Sequence, residues 1–465
     1  MTLDLADRRA RRANGIPGPS ASANGPGANQ HWARRVLMSP WTWITLGLTA
    51  IYAACLWWMY SSAMRDTVLE EGVIPGLNPS AIRRSAHLAL PTLLAWVAVF
   101  VLLDRFRPMR ALLWWLALGW GAAVSTAASM MINTWAGEQL AIVGSGDPAS
   151  GARTAVFIAP FVEEATKATV LFGVAIVLRY RLVTRVQAAV LAGLSAAGFA
   201  FTENILYYSR AIVYSSTTIE TGDPQEALNQ IVLLRGVKTA FGHPLFTVFT
   251  AIGLIVALRA RSKVVRIIAP LAGFLIAACA HMVFNFFASV GLDANAMAII
   301  GWIMAASLAI HLIRQVLADG RRHRDRLADY VMMGWLPAEA VVAFSRQRTR
   351  WASLRNAVSY GWRPLMATFR LQRTMSELVH LRDAQVRGLI DDAGDGRARE
   401  LLAAAHELEP LAITDPKRQR FQFPKIPNPF ARLRRRHQTP TPRASVPLGS
   451  PVYSPVDPRW GPPKG

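Results

Sequence analysis

Apolar residues gather into eight runs, near 41–60, 86–103, 111–132, 154–178, 187–208, 231–257, 267–290 and 295–316. Each is close to the ~20 residues that a helix needs to cross the hydrocarbon of a bilayer. The loops between them alternate in charge. Arg8, Arg9, Arg11, Arg12, Arg34 and Arg35 precede the first run, and Arg105, Arg107 and Arg110 fill the second loop. Arg179, Arg181 and Arg185 fill the fourth; Arg259, Arg261, Lys263 and Arg266 fill the sixth; Arg321, Arg322, Arg324 and Arg326 follow the last. The other loops carry acids: Glu70 and Glu71, then Glu138 and Asp147, then Glu220, Asp223 and Glu226, with Arg65, Arg83 and Arg84 as the exception. Basic loops stay on the cytoplasmic side, so the pattern predicts eight spans with both termini cytoplasmic in the cell membrane.

After Gln315 the apolar runs stop. Residues 319–410 keep helical periodicity with mixed charge, as in SELVHLRDAQVRGLI and RARELLAAAHEL. The expected organisation is all-α and polytopic: a disordered basic segment over 1–38, an eight-span membrane domain over 39–318, a cytoplasmic helical region over 319–410, and a Pro-rich, basic, disordered tail over 411–465.

Composition agrees: 52% of residues are hydrophobic and 17% charged, and the charges lie largely outside the apolar runs. Roughly half of the net charge of +22 lies after Asp319, which points to anionic lipid headgroups at the cytoplasmic face. No nucleic-acid recognition motif accompanies it, so no nucleic acid is expected. Cys55 and Cys279 both fall inside apolar runs, which excludes a disulfide framework or a CxxC metal site.

Four consecutive apolar runs carry the polar signals of interest, and an ionisable residue costs at least ~2.5–3.5 kcal/mol at a helix centre. They are Glu163, Glu164 and Lys167 in FVEEATK, Glu203-Asn204, His243, and His281 with Asn285. At 1.5 Å per residue Glu164 lies ~15 Å, Glu203 ~8 Å, His243 ~12–18 Å and His281 ~14 Å below the outer boundary. All fall in the outer half of the bilayer. Lys167 is i+4 from Glu163 and i+3 from Glu164, so it reaches either carboxylate; His281 and Asn285 share a face. Each signal has a structural reading too: a neutralised ion pair at 163–167, a kink before Pro244, an interfacial Glu203, interhelical hydrogen bonding at 281–285. Their common depth favours one functional site. His243, His281 and Glu203 suit zinc with a water in the fourth position. Glu163 or Glu164 would serve as general base toward a peptide carbonyl, Lys167 would hold that glutamate ionised or stabilise an oxyanion, and Asn285 would orient His281 or donate to the oxyanion.

EExxK at 163–167, FxxxEN at 199–204, His243 following Arg235, and HxxxN at 281–285 together resemble the PrsW-type intramembrane proteases, related to the CAAX-prenyl-protease and bacteriocin-processing membrane proteins. The likeness covers about 154–290. It implies a multi-span endopeptidase, usually a metalloprotease, that cleaves membrane-anchored proteins, and it points to Glu163, Glu164, Glu203, His243 and His281 with Asn285 in support. Zinc and a metal-independent glutamate/histidine mechanism both remain open. A proton-coupled transporter and a non-catalytic membrane scaffold are the rival classes; the transporter would show internal repeats, and none is found.

Overall fold

The computed structural model describes residues 37–69, 72–104, 106, 109, 111–139, 150–177, 185–215, 223–260, 262–386 and 392–415. The readings of 1–36 and 416–465 as disordered lie outside them. Prolines open several helices, since a first-turn residue has no N–H to lose. α1 starts at Pro40 and runs to Ala63. α2, Pro79–Leu103, is capped by the Asn78 side chain, which accepts from the Ala81 N–H. Between them an antiparallel hairpin, β1 (Thr67–Leu69) and β2 (Gly72–Ile74), occupies what the apolar pattern leaves as a loop.

α3 spans Ala111–Gln139 and contains one wide π turn at Trp120–Ser125. A π turn frees backbone carbonyls from the ladder, and in an apolar setting they need other donors. Thr126 Oγ1 donates to Gly121 O at 2.9 Å, and Thr202 Oγ1 to Ala122 O at 2.7 Å. The chain continues through α4 (Ser150–Phe157), α5 (Ala159–Val177), α6 (Arg185–Ser215), α7 (Pro224–Leu233), α8 (Gly242–Arg259), α9 (Lys263–Ser289) and α10 (Ala294–Met332).

Among the described residues seven helical stretches are long and apolar enough to cross a membrane, one fewer than the eight apolar runs. The run at 154–178 is the one set apart. It is divided at Ile158 into α4 and α5, and α5 carries Glu163, Glu164 and Lys167, too many charges for an ordinary span. The run at 231–257 is also interrupted: after α7 a π turn at Leu234–Lys238 unwinds the chain before α8 begins at Gly242. The last run extends well past 316, to Met332.

Burial separates central from peripheral helices. About 72% of the apolar window is buried in α6 and in α7–α8, against 11% in α1 and α2. The outer helices present Trp57, Ile267, Ile299 and similar side chains on their exposed faces, a surface suited to hydrocarbon and not to water. Where α8 packs on α9, glycines face one another. A Cβ at Gly253 of α8 would meet Ala269 O of α9, and one at Gly273 of α9 would meet Phe249 O of α8, the close backbone contact typical of packed membrane helices.

The described chain divides into two units, one reaching Val316 and the other starting at Leu317. The second has its own core: Leu327 and Tyr330 of α10, Phe344 of α11 (Glu339–Ser345), Leu371 and Leu378 of α13 (Trp362–Val386), and Leu401 and Leu402 of α14 (Asp392–Leu408). α12 (Gln347–Ser359) packs there through the fully buried Arg350, which donates to Phe344 O, Gln372 O and Ser376 Oγ.

Candidate active site

The four polar stretches meet. α5 supplies Glu163, Glu164 and Lys167, α6 supplies Glu203 and Asn204, the α7–α8 break supplies Arg235 and His243, and α9 supplies His281 and Asn285. The break sets the geometry. Its unwound carbonyls are taken by side chains of α2 and of the turn itself: Thr92 Oγ1 to Gly236 O at 2.9 Å, Trp96 Nε1 to Ala240 O at 3.0 Å, Thr239 Oγ1 to Leu234 O at 2.9 Å. With its backbone so satisfied the chain can turn inside an apolar layer, bringing Arg235 and His243 to the carboxylates. Pro244 follows in the first turn of α8, where it disturbs nothing.

Glu164 and Lys167 are fully buried. The Lys167 ammonium donates to Glu164 Oε1 at 2.9 Å, to Glu163 Oε2 at 3.2 Å and to His243 Nδ1 at 2.8 Å, and its Nζ lies 4.0 Å from the centre of the Phe199 ring. Glu164 Oε2 accepts from Thr247 Oγ1 at 2.7 Å, and its Oε1 also meets His281 Nδ1 at 3.2 Å. Glu203 Oε2 lies 2.8 Å from His243 Nε2 and is ion-paired with Arg235, whose Nε donates to Asn204 Oδ1 at 2.9 Å. The guanidinium rests on the face of Tyr207, 3.9 Å from its centre. Phe246 stacks on His281 at 5.0 Å between ring centres.

Ionised carboxylates only accept hydrogen bonds. His243 therefore donates its Nε2–H to Glu203, leaving Nδ1 with the lone pair, and His281 donates its Nδ1–H to Glu164, leaving Nε2. Each imidazole thus has a carboxylate behind it, the outer-shell arrangement that fixes tautomer and ring direction in metal-binding histidines.

A group of three residues among those described, Glu163, His243 and His281, brings one potential ligand atom from each within 4.8 Å of the others. Glu203, the carboxylate expected from the spacing to complete the ligand set, has its Oε2 held between Arg235 and His243. Glu163 Oε2 instead lies 4.0 Å from His243 Nδ1, the ring nitrogen that Glu203 leaves free. The donor set is two imidazoles and a carboxylate, suited to a divalent first-row cation. Formal charge agrees: with Glu163, Glu164 and Glu203 ionised against Lys167 and Arg235, and both histidines neutral, the buried group is one positive charge short. On these grounds the residues fit a metal ion, provided that Lys167 gives up its contact with His243 Nδ1.

A cavity of ≈ 100 Å³ opens onto this group, lined among others by Glu163, Glu203, Arg235, His243, His281 and Asn285. One water needs ~10–15 Å³ by the same kind of measure, so several fit. Glu164 and Lys167 are not on its wall. Asn285, expected to support His281 or an oxyanion, lines the cavity and donates to Ala155 O of α4 at 2.8 Å. Thr247 escaped the reading of motifs, although its place one turn after His243 in an apolar run was the available signal.

Residues 107–312 match the PrsW family of intramembrane metalloproteases. The match spans α3 to α10 and includes every residue of the buried group. No curated protein and no solved structure matches the chain. With seven apolar helices among the described residues and this family match, the protein is a multi-pass membrane protein.

Proposed function

We propose that the chain is an intramembrane endopeptidase that hydrolyses peptide bonds of membrane-anchored proteins inside the cavity beside Glu163. It would sit in the cell membrane with both termini cytoplasmic. The reading rests above all on two histidines, each backed by its own carboxylate, gathered with a third carboxylate at a cavity large enough for water.

His243, His281 and Glu163 would hold a divalent cation, zinc by the preference of this donor set. Such an ion, when bound, supplies Lewis acidity that polarises a carbonyl and acidifies water. The chain's own residues do the rest. Glu203 and Glu164 keep the imidazoles in one tautomer. Arg235 holds Glu203 against the pull of the cluster, and Thr247 holds Glu164. Asn285, on the cavity wall, is available to hydrogen-bond the substrate backbone. Of the adjacent pair in α5, Glu163 is the carboxylate on the cavity wall, so it is the one that can meet water.

One observation favours a second, metal-free version: the Lys167 ammonium lies 2.8 Å from His243 Nδ1 and already supplies a positive charge at the cluster. Glu163 would then take the proton of water as general base.

The test is cleavage of a membrane-anchored reporter by purified protein in lipid discs, comparing wild type, Glu163→Gln and His281→Ala. Both substitutions should abolish cleavage with the fold retained. Unchanged cleavage by either removes the proposal.

A further inference from the structure

We propose that the turn between α12 and α13, in the unit that begins at Leu317, is a docking surface for an anionic lipid bilayer. The segment 340–376 contains seven arginines and no Asp, Glu, Lys or His. Arg350 is buried in the core and Arg373 pairs with Glu377. The other five, Arg346, Arg348, Arg355, Arg363 and Arg370, are exposed, and no ion pair among the described residues involves them. Arg348 and Arg355 lie seven apart on α12, and Arg363 and Arg370 seven apart on α13. Two helical turns return each pair to one face.

The two helices are joined at Gly361, whose φ of 102° favours a residue without a side chain. Around this joint the chain exposes Val358 (45%), Tyr360 (42%) and Trp362 (72%), while the opposite faces pack Ala357, Ala367 and Leu371 inside. An apolar and aromatic tip flanked by unpaired arginines has the chemistry of a membrane interface. Indole and phenol rings prefer the headgroup level, arginine stems lie along apolar surface with the charge outward, and anionic headgroups complement the charge. The same chain carries the membrane spans, so a bilayer is always present at high effective concentration. This surface is independent of the proposed proteolysis.

The experiment uses the full chain in lipid discs, with Cys55→Ala, Cys279→Ala and Ser359→Cys, and a fluorophore on the new thiol. Quenching by aqueous iodide is compared in phosphatidylcholine discs and in discs that also contain phosphatidylglycerol. Anionic lipid should lower the quenching constant about threefold or more, and high salt should restore it. The combined Arg348→Glu, Arg355→Glu and Arg363→Glu variant should lose the protection, and the matching Lys variant, which keeps the charge, should retain it. Equal quenching in both kinds of disc overturns the proposal. So does protection that arises only when an RNA oligonucleotide is added to phosphatidylcholine discs, which would assign the arginines to nucleic acid.

Discussion

Glu163 and Glu164 are chemically identical neighbours with different surroundings. Consecutive helix positions differ by ~100°, so one carboxylate reaches the cavity while the other turns into a contact set of Lys167, Thr247 and His281. Their substitutions should therefore fail in different ways. Glu163→Gln should lower cleavage by at least about 10²–10⁴-fold with little change in melting temperature, as a lost proton acceptor in the metal-free version and, in the metal version, as a lost ligand that lowers bound metal too. Glu164→Gln weakens the hydrogen bonds that Lys167, Thr247 and His281 make to one buried carboxylate and should destabilise by about 1–3 kcal/mol, read as a fall in melting temperature. A Glu164 variant as stable as wild type would contradict this division. Glu203→Gln offers a separate check. It weakens the acceptor behind His243 and should cost about 10–100-fold in activity or bound metal, as outer-shell substitutions do. Spacing identified both members of the pair at 163–164, but Lys167 is reachable from either, so no spacing argument could rank them.

At the scale of elements, the site depends on two irregularities and one close contact. The π turn at Leu234–Lys238 and the break before Gly242 bring His243 to the first turn of α8, beside the carboxylates. The apolar run at 231–257 conceals that interruption, because hydropathy records composition and not hydrogen bonding. Its polar caps come from Thr92 and Trp96, more than a hundred residues away in sequence. α8 and α9, which carry the two histidines, meet at Gly253 and Gly273. Gly253→Val would place a branched side chain against the α9 backbone. It should cost about 1–3 kcal/mol by overpacking, and lower cleavage as well by shifting His243 against His281. Full activity at undiminished stability would mean that this contact does not set the distance between the histidines.

For the whole molecule, the number of crossings decides where the ends lie. Among the described residues seven helices are long and apolar enough to span. If α5 is the eighth, both termini share one side; if it does not cross, they lie on opposite sides. Reporter fusions after Gly465 and before Met1 should both report the cytoplasm, as the arginine-bearing loops require. Opposite locations would remove α5 from the spans. Metal content is the other property of the intact protein. Purified wild type should carry about one zinc per chain and His243→Ala much less, with cleavage abolished by a chelator and restored by zinc. Full cleavage by metal-free protein would select the version in which Lys167 supplies the positive charge.

Read alone, the sequence determined the class of this protein and which ionisable residues its apolar runs carry. Long apolar runs, alternating loop charge and a few ionisable residues inside the runs are local properties, and the cost of placing charge in hydrocarbon makes them legible. Tertiary structure alone decided how the carboxylates stand around the histidines. Glu203, the carboxylate grouped with them from the sequence, meets His243 Nε2 and Arg235, while Glu163, His243 and His281 bring their ligand atoms within 4.8 Å, an arrangement set by helix rotation and by partners on other helices. A hydrogen-bond network of this kind is written in distances between elements, and no one-dimensional pattern contains them.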